Sequence, residues 1–119
     1  MPRPHRDLRV WQDAMTLVTQ MYQLMAEFSD AERFGLTAQI RRAAVSVPSN
    51  VAEGAARGSK KEFVRSLAIA RRSLSELDTR LRIAENLNYP GKIALLLSAI
   101  ERLQAALGAL IKSRKVRGA

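Results

Sequence analysis

Apolar residues recur every three or four positions along almost the whole chain, the spacing of helices that bury one face. In the first segment Leu8, Trp11, Met15, Val18, Tyr22, Met25 and Phe28 keep that step. They predict a helix of about 22 residues, with Asp7 as N-cap or first-turn acid and an end near Ser29. Met15, Met21 and Met25 read as gap-filling core, and Trp11 as core or as a wedge beneath a neighbouring helix. The connection SDAERFG follows, with Phe34 expected to fold back onto the core. A second helix is predicted from Leu36 to about Arg57, burying Leu36, Ile40, Ala43, Ala44, Val47 and Val51. Gly54 and Gly58 are expected to loosen its end, with Gly58 as the helix-terminating glycine.

The third helix opens on a capping box, Ser59 to Glu62. Phe63, Leu67, Ala70, Leu74, Leu77, Leu81 and Ala84 then alternate steps of four and three, a heptad seam of left-handed bundle packing. Off that seam Ile69, Glu76 and Ile83 stand seven apart, and two isoleucines on the wet face point to a subunit contact. A turn is expected over residues 86–91, with Pro90 in the first turn of a fourth helix. There Ile93, Leu96, Leu97, Ile100, Leu103, Leu107, Leu110 and Ile111 form an apolar arc with Leu95 outside it. Residues 1–6 read as a basic arm, and residues 112–119 (KSRKVRGA) as a basic tail that frays. No stretch alternates as a strand does. The expectation is one all-α domain over residues 1–119, an antiparallel up-down-up-down four-helix bundle.

One stretch departs from plain amphipathic helix: Gln39 to Gly54, QIRRAAVSVPSNVAEG. Beside its core row runs a second row of Gln39, Arg42, Ser46, Asn50, Glu53 and Arg57, each within reach of the next. On the other flank lie Val45, Pro48 and Ala52, with Arg41 above them. Pro48 lacks an N–H and crowds the Ala44 carbonyl, so the helix must kink or split there. Either it bends and continues, with Ser46 or Ser49 satisfying freed backbone groups, or it restarts with Asn50 as N-cap and Glu53 closing a capping box. The bend is the preferred reading.

The segment GLTAQIRRAAVSVPSNVAEGAARGSKKEF resembles the four helix bundle protein family, also named for proteins encoded in intervening sequences of bacterial 23S ribosomal RNA genes. The similarity extends from DLRVW through SLAIARRSLSELDTRL to NLNY, nearly the whole chain. Arg72 departs from it, standing where the family has a small residue, often glycine. The resemblance implies a four-helix bundle assembling as a homopentamer, with no established enzymatic activity. It also implies kinship with the accessory protein of diversity-generating retroelements, similar in fold and linked to nucleic acid.

Charge changes the picture most. Twenty Lys and Arg against eleven Asp and Glu leave +9, and polyanions are the natural partners of such an excess. RNA or DNA contact is expected at four groups: Arg41 beside Arg42; Arg57, Lys60, Lys61 and Arg65; Arg71 and Arg72; and Lys112, Arg114, Lys115 and Arg117. Arg42 is expected in an internal ion pair with Glu53 and Arg57, holding the second helix in register. The aromatic residues sit mostly at core spacing, which argues against base stacking. Several copies of a +9 chain would join weak patches into one multivalent surface.

Catalytic chemistry finds little footing. There is no cysteine, and the one histidine, His5, lies in the arm. No Glu-x-x-His pair offers a di-metal site, and no glycine-rich loop cradles a phosphate. The expectation is a non-enzymatic protein with no cofactor, metal or small-molecule substrate. No apolar run approaches the ~18 residues of a membrane span, and the first residues lack a signal-peptide core, so a cytoplasmic location and no membrane are expected. The competing expectation is a protein–protein scaffold contacting partners through apolar patches such as Ile69 and Ile83.

Overall fold

The computed structural model describes residues 5–32 and 34–117. They form four helices, α1 (Arg9–Met25), α2 (Leu36–Ala56), α3 (Lys60–Asn86) and α4 (Ile93–Arg117), with a 3₁₀ turn at Asp30–Glu32. Each helix packs on its neighbours in the chain, and α4 closes back on α1. Gln39 meets Arg80, whereas Gly54, further along α2, meets Ser66. The register falls along α3 as it rises along α2, the order given by opposed neighbours.

The core rows of α2, α3 and α4 lie where their periodicity places them. Ile40, Ala44, Val47 and Val51 meet Leu67, Ala70, Leu74, Leu77, Leu81 and Ala84, and Ile100 and Leu107 fill the far side, all almost inaccessible. A fully buried leucine of this kind contributes about 1.5–3 kcal/mol relative to exposure. Leu36, Phe63, Leu110 and Ile111 pack at the edge of this core, half-buried. By composition and length Ile93–Lys115 would also suffice to cross a membrane, at mean hydropathy 1.6. A count of unbroken apolar residues overlooks it, because Ser98, Glu101 and Arg102 interrupt the run; its apolar arc faces the other helices.

In α1 the buried row is Val10, Ala14, Leu17, Met21, Leu24 and Met25, with Phe28 just beyond. This is one position earlier than the bulkier row suggests. Met15 and Tyr22, expected in the core, are each 43% exposed, while Leu8, Trp11 and Val18 are half-buried. Two adjacent apolar rows compete on α1, and the one containing small Ala14 approaches the other helices. The cap also differs. Leu8, in extended geometry, precedes α1 without a side-chain cap, and Asp7 lies in the turn before it. That turn is held instead by the Gln12 side chain, which donates to the Arg6 carbonyl at 2.8 Å. His5 sets its ring edge-on to Trp11, 4.9 Å away. Residues 1–4 of the arm lie outside the described residues.

Helix α2 continues unbroken through buried Pro48. No second start occurs at Asn50, whose amide donates to the Ser46 carbonyl at 2.7 Å. Ser46 and Ser49 donate to the carbonyls of Ala43 and Val45, each at 2.8 Å. Those carbonyls flank Ala44, the one that Pro48 deprives of a donor. Gly58 ends the helix in left-handed geometry at φ +75°. Gly54 does not loosen the end. It is buried, and a Cβ there would fall inside the Ser66 side chain, so α2 and α3 approach closely at this crossing.

Ser59 caps α3, its hydroxyl accepting the Glu62 N–H at 3.0 Å. At the other end Asn88 takes left-handed φ 59°. Its N–H reaches Glu85, and the Tyr89 N–H reaches Ala84, each at 3.0 Å, which is a Schellman termination with asparagine in the glycine position. Pro90 lies in the turn, outside α4, because the chain needs Gly91 at φ +106° before it can start again at Ile93. Tyr89 packs edge-on against Phe28, with ring centres 5.0 Å apart. Its hydroxyl donates to Glu32, whose carboxylate also accepts the Leu36 N–H at the start of α2. These two bonds hold the Glu32 carboxyl below the ordinary carboxylate range, and Glu32 pushes the Tyr89 phenol up. Phe34, expected to fold back, is 85% exposed.

A candidate nucleic-acid interface at one end of the bundle

Four opposed helices bring distant segments together. Leu8 before α1, Gly54 and Gly58 at the end of α2, Ser59 and Phe63 at the start of α3, and Arg114 near the end of α4 line one common depression. The opposite end joins Leu24 to Gly91 and Phe28 and Glu32 to Tyr89.

Charge divides unevenly between these ends. Residues 5–13, 53–66 and 110–115 carry Arg6, Arg9, Arg57, Lys60, Lys61, Arg65, Lys112, Arg114 and Lys115 against Asp7, Asp13, Glu53 and Glu62. The opposite segments, 24–32, 34–39 and 78–96, carry Arg80, Arg82 and Lys92 against Glu27, Asp30, Glu32, Asp78 and Glu85. The excess of +9 therefore belongs largely to one end. Two groups that the sequence separates by half the chain, the α2–α3 loop cations and the C-terminal cations, are neighbours here.

The backbone of residues 112–117 continues α4; Gly118 and Ala119 lie outside the described residues. Cations in a last turn are favoured by the negative end of the helix dipole. The Arg114 guanidinium lies 5.5 Å over the Phe63 ring, pinning α4 to α3. Lys61, Arg65, Lys112 and Lys115 are exposed around it.

The remaining candidates scatter. Arg41 lies 5.3 Å over the Tyr22 ring on the α1–α2 face. Arg42 is exposed, with no ion pair among the described residues, so the expected internal pair is absent. Arg57 does bind Glu53, at 2.8 Å, but both side chains are more than half exposed. The Glu53 hydrogen bond raises the Arg57 pKa further, and a solvated pair four residues apart does little to hold a helix in register. Gln39 accepts from Arg80 at 3.2 Å, crossing from α2 to α3. The row from Gln39 to Arg57 thus serves local helix bonds and one cross-helix contact, without converging on a site.

Arg71 and Arg72 part company. Arg71 donates to Gln104 at 3.1 Å, and Gln104 donates back to the Arg71 carbonyl at 3.0 Å and to Ser75 at 3.1 Å. The Arg71 guanidinium lies along Gly108, where a Cβ would approach it to 3.3 Å. It clamps α3 to α4, while Arg72 projects outward. Ile69 is half-buried and Ile83 is 44% exposed, so the row they form does face outward. Arg82, paired with Asp78 at 3.0 Å and reaching Glu101 at 4.0 Å, is a further cross-helix tie with no periodic sign in the sequence. Among the described residues no three His, Asp or Glu side chains converge to hold a metal ion.

Residues 6–109 match the family model described as 23S rRNA-intervening sequence protein. Among solved structures, the chain is similar to a protein of unknown function from the S23 ribosomal protein family of Bacteroides thetaiotaomicron VPI-5482. The TM-score is 0.76 and the identity 18%, covering 87% of this chain and 98% of that one. At that identity the likeness speaks for the fold. No curated protein matches the chain.

Proposed function

The chain belongs to the 23S rRNA-intervening sequence protein family, and we propose that it is a non-enzymatic, homo-oligomeric helical platform that holds RNA or DNA by its phosphates. The observation that carries this reading is the gathering of basic side chains from three segments at one end of the bundle. Clustered cations release condensed counterions when they meet a polyanion, which needs no base contact and gives no strong sequence preference. Assembly into a homo-oligomer, five copies by family resemblance, would set several such ends side by side and multiply their avidity.

The test is fluorescence anisotropy with RNA and duplex DNA across a salt series, with oligomer mass recorded in parallel. Affinity falling linearly with salt on logarithmic axes supports the platform; no binding at low salt by an intact oligomer sinks it. A second reading has its own observation. Met15, Tyr22, Val45 and Ile83 are each more than 40% exposed, and apolar residues of that size on a surface also fit a protein scaffold. That reading leads if binding to nucleic acid is absent.

A further inference from the structure

The basic end contains a built depression, and its ligand can be argued more narrowly than "polyanion"; this step rests on the reading that nucleic acid meets that end. The depression holds about 290 Å³, and its lining includes the cations Lys60 and Arg114 but no carboxylate. Arg114 is its unusual member. With the guanidinium lying over Phe63, its Nε–H is buried with no hydrogen-bond partner among the described residues. A buried charged donor left without an acceptor is unfavourable, and such groups in native proteins call for an explanation. Turned off Phe63 into the depression, the guanidinium would present Nε and an Nη to two oxygens of one anion, the fork geometry that matches phosphate. Beside it Ser59 accepts the Glu62 N–H, which leaves its hydroxyl proton to donate to a phosphate oxygen. Gly58 borders the depression in left-handed geometry, with open space beside it.

We propose that this depression binds a phosphoryl group, with Arg114 as its principal cation and Ser59 and Lys60 beside it. It lies where the ends of four helices meet, and in bound nucleic acid we assign the group to a terminal phosphate on charge. The exposed cations on its rim, such as Lys61 and Lys115, then face the internal diesters. A terminal phosphomonoester carries more charge than a diester, close to two units at neutral pH, which favours it at this place.

The test compares one oligonucleotide sequence carrying a phosphate at the 5′ end, at the 3′ end or at neither, titrated against the full chain. Inorganic phosphate serves as competitor and as a ligand in thermal shift. One end-phosphorylated form is expected to bind about tenfold tighter than the unphosphorylated form. Arg114→Gln should bring that ratio to about one, and Arg114→Lys should restore part of it, with circular dichroism confirming that both variants fold. Equal binding of all three oligonucleotides by the unaltered protein overturns the pocket and leaves the basic end standing. If no oligonucleotide binds, the nucleic-acid reading falls. A thermal shift by inorganic phosphate that Arg114→Gln removes then preserves a free-phosphate site; no such shift overturns that too.

Discussion

Replacing Gly54 by alanine sets two effects of known size against each other. In an open helix the change is favourable by about 1 kcal/mol, because alanine is the better helix former. At this crossing the new Cβ lands inside the Ser66 side chain, and lies 2.8 Å from its Oγ and 3.4 Å from Phe63. Ser66 meets it with its own Cβ, fixed to the α3 backbone, so no rotamer change relieves the clash and the helices must part by about 1 Å to restore contact distances. Overpacking of this kind costs about 1–3 kcal/mol. A gap of that size also forfeits a quarter to a half of each neighbouring contact well. The net expectation is a loss of about 1–2 kcal/mol, or roughly 3–8 °C in midpoint for a domain of this size. Chemical and thermal unfolding of Gly54→Ala, Ser66→Gly and the double variant measure it. The double variant should be more stable than the two single losses predict, with a coupling of about 1 kcal/mol or more, because Ser66→Gly vacates the space. Stabilisation by Gly54→Ala alone, or zero coupling, would refute the close approach that places the α2–α3 loop and its cations.

Three further outcomes follow from other contacts. Glu32, held below its ordinary pKa by Tyr89 and the Leu36 N–H, contributes stability that is present above its unfolded pKa of about 4.3 and lost as pH falls through the lower folded value. Tyr89→Phe and Glu32→Gln should each lower the midpoint at neutral pH and flatten its fall within that window; an unchanged acid profile would contradict the contact. Ile83→Glu alone, then with Ile69→Glu, should give smaller species by light scattering if that row joins subunits, and a complex of unchanged mass removes the argument. Leu74→Ala, at a site with no exposure, should cost about 2–5 kcal/mol by urea unfolding; a loss under 1 kcal/mol would show that the seam collapses around it.

Much of this architecture is legible in the residues because burial enforces periodicity. The heptads of α3 and the arc of α4 each offer one apolar face, and that face is buried. Helix α1 offers two, and bulk misleads: Trp11, Met15 and Tyr22 draw the eye from the row where Ala14 packs. Charge alone also says nothing of Arg114 resting on Phe63, so that contact between α4 and α3 has no sign in the sequence. The tie from Glu32 to Tyr89 is invisible for a different reason, since it joins residues far apart in sequence with no repeating pattern. The basic end itself follows from topology already implied by the sequence. Alternating helices bring the start of α1, the α2–α3 loop and the end of α4 to one end, so separate basic stretches sum into one surface.

The most direct measurement compares two variants with equal net charge. One carries Lys61→Gln, Arg65→Gln, Lys112→Gln and Lys115→Gln, all at the basic end; the other carries Arg41→Gln, Arg42→Gln, Arg72→Gln and Lys92→Gln, all away from it. Duplex-DNA affinity is followed across salt for each. The end variant should bind more weakly, with its logarithmic salt slope reduced by up to about 3.6 if all four cations meet phosphates, while the other keeps nearly the original slope. Equal losses in both would contradict the account and leave net charge, without an interface, as the cause of binding.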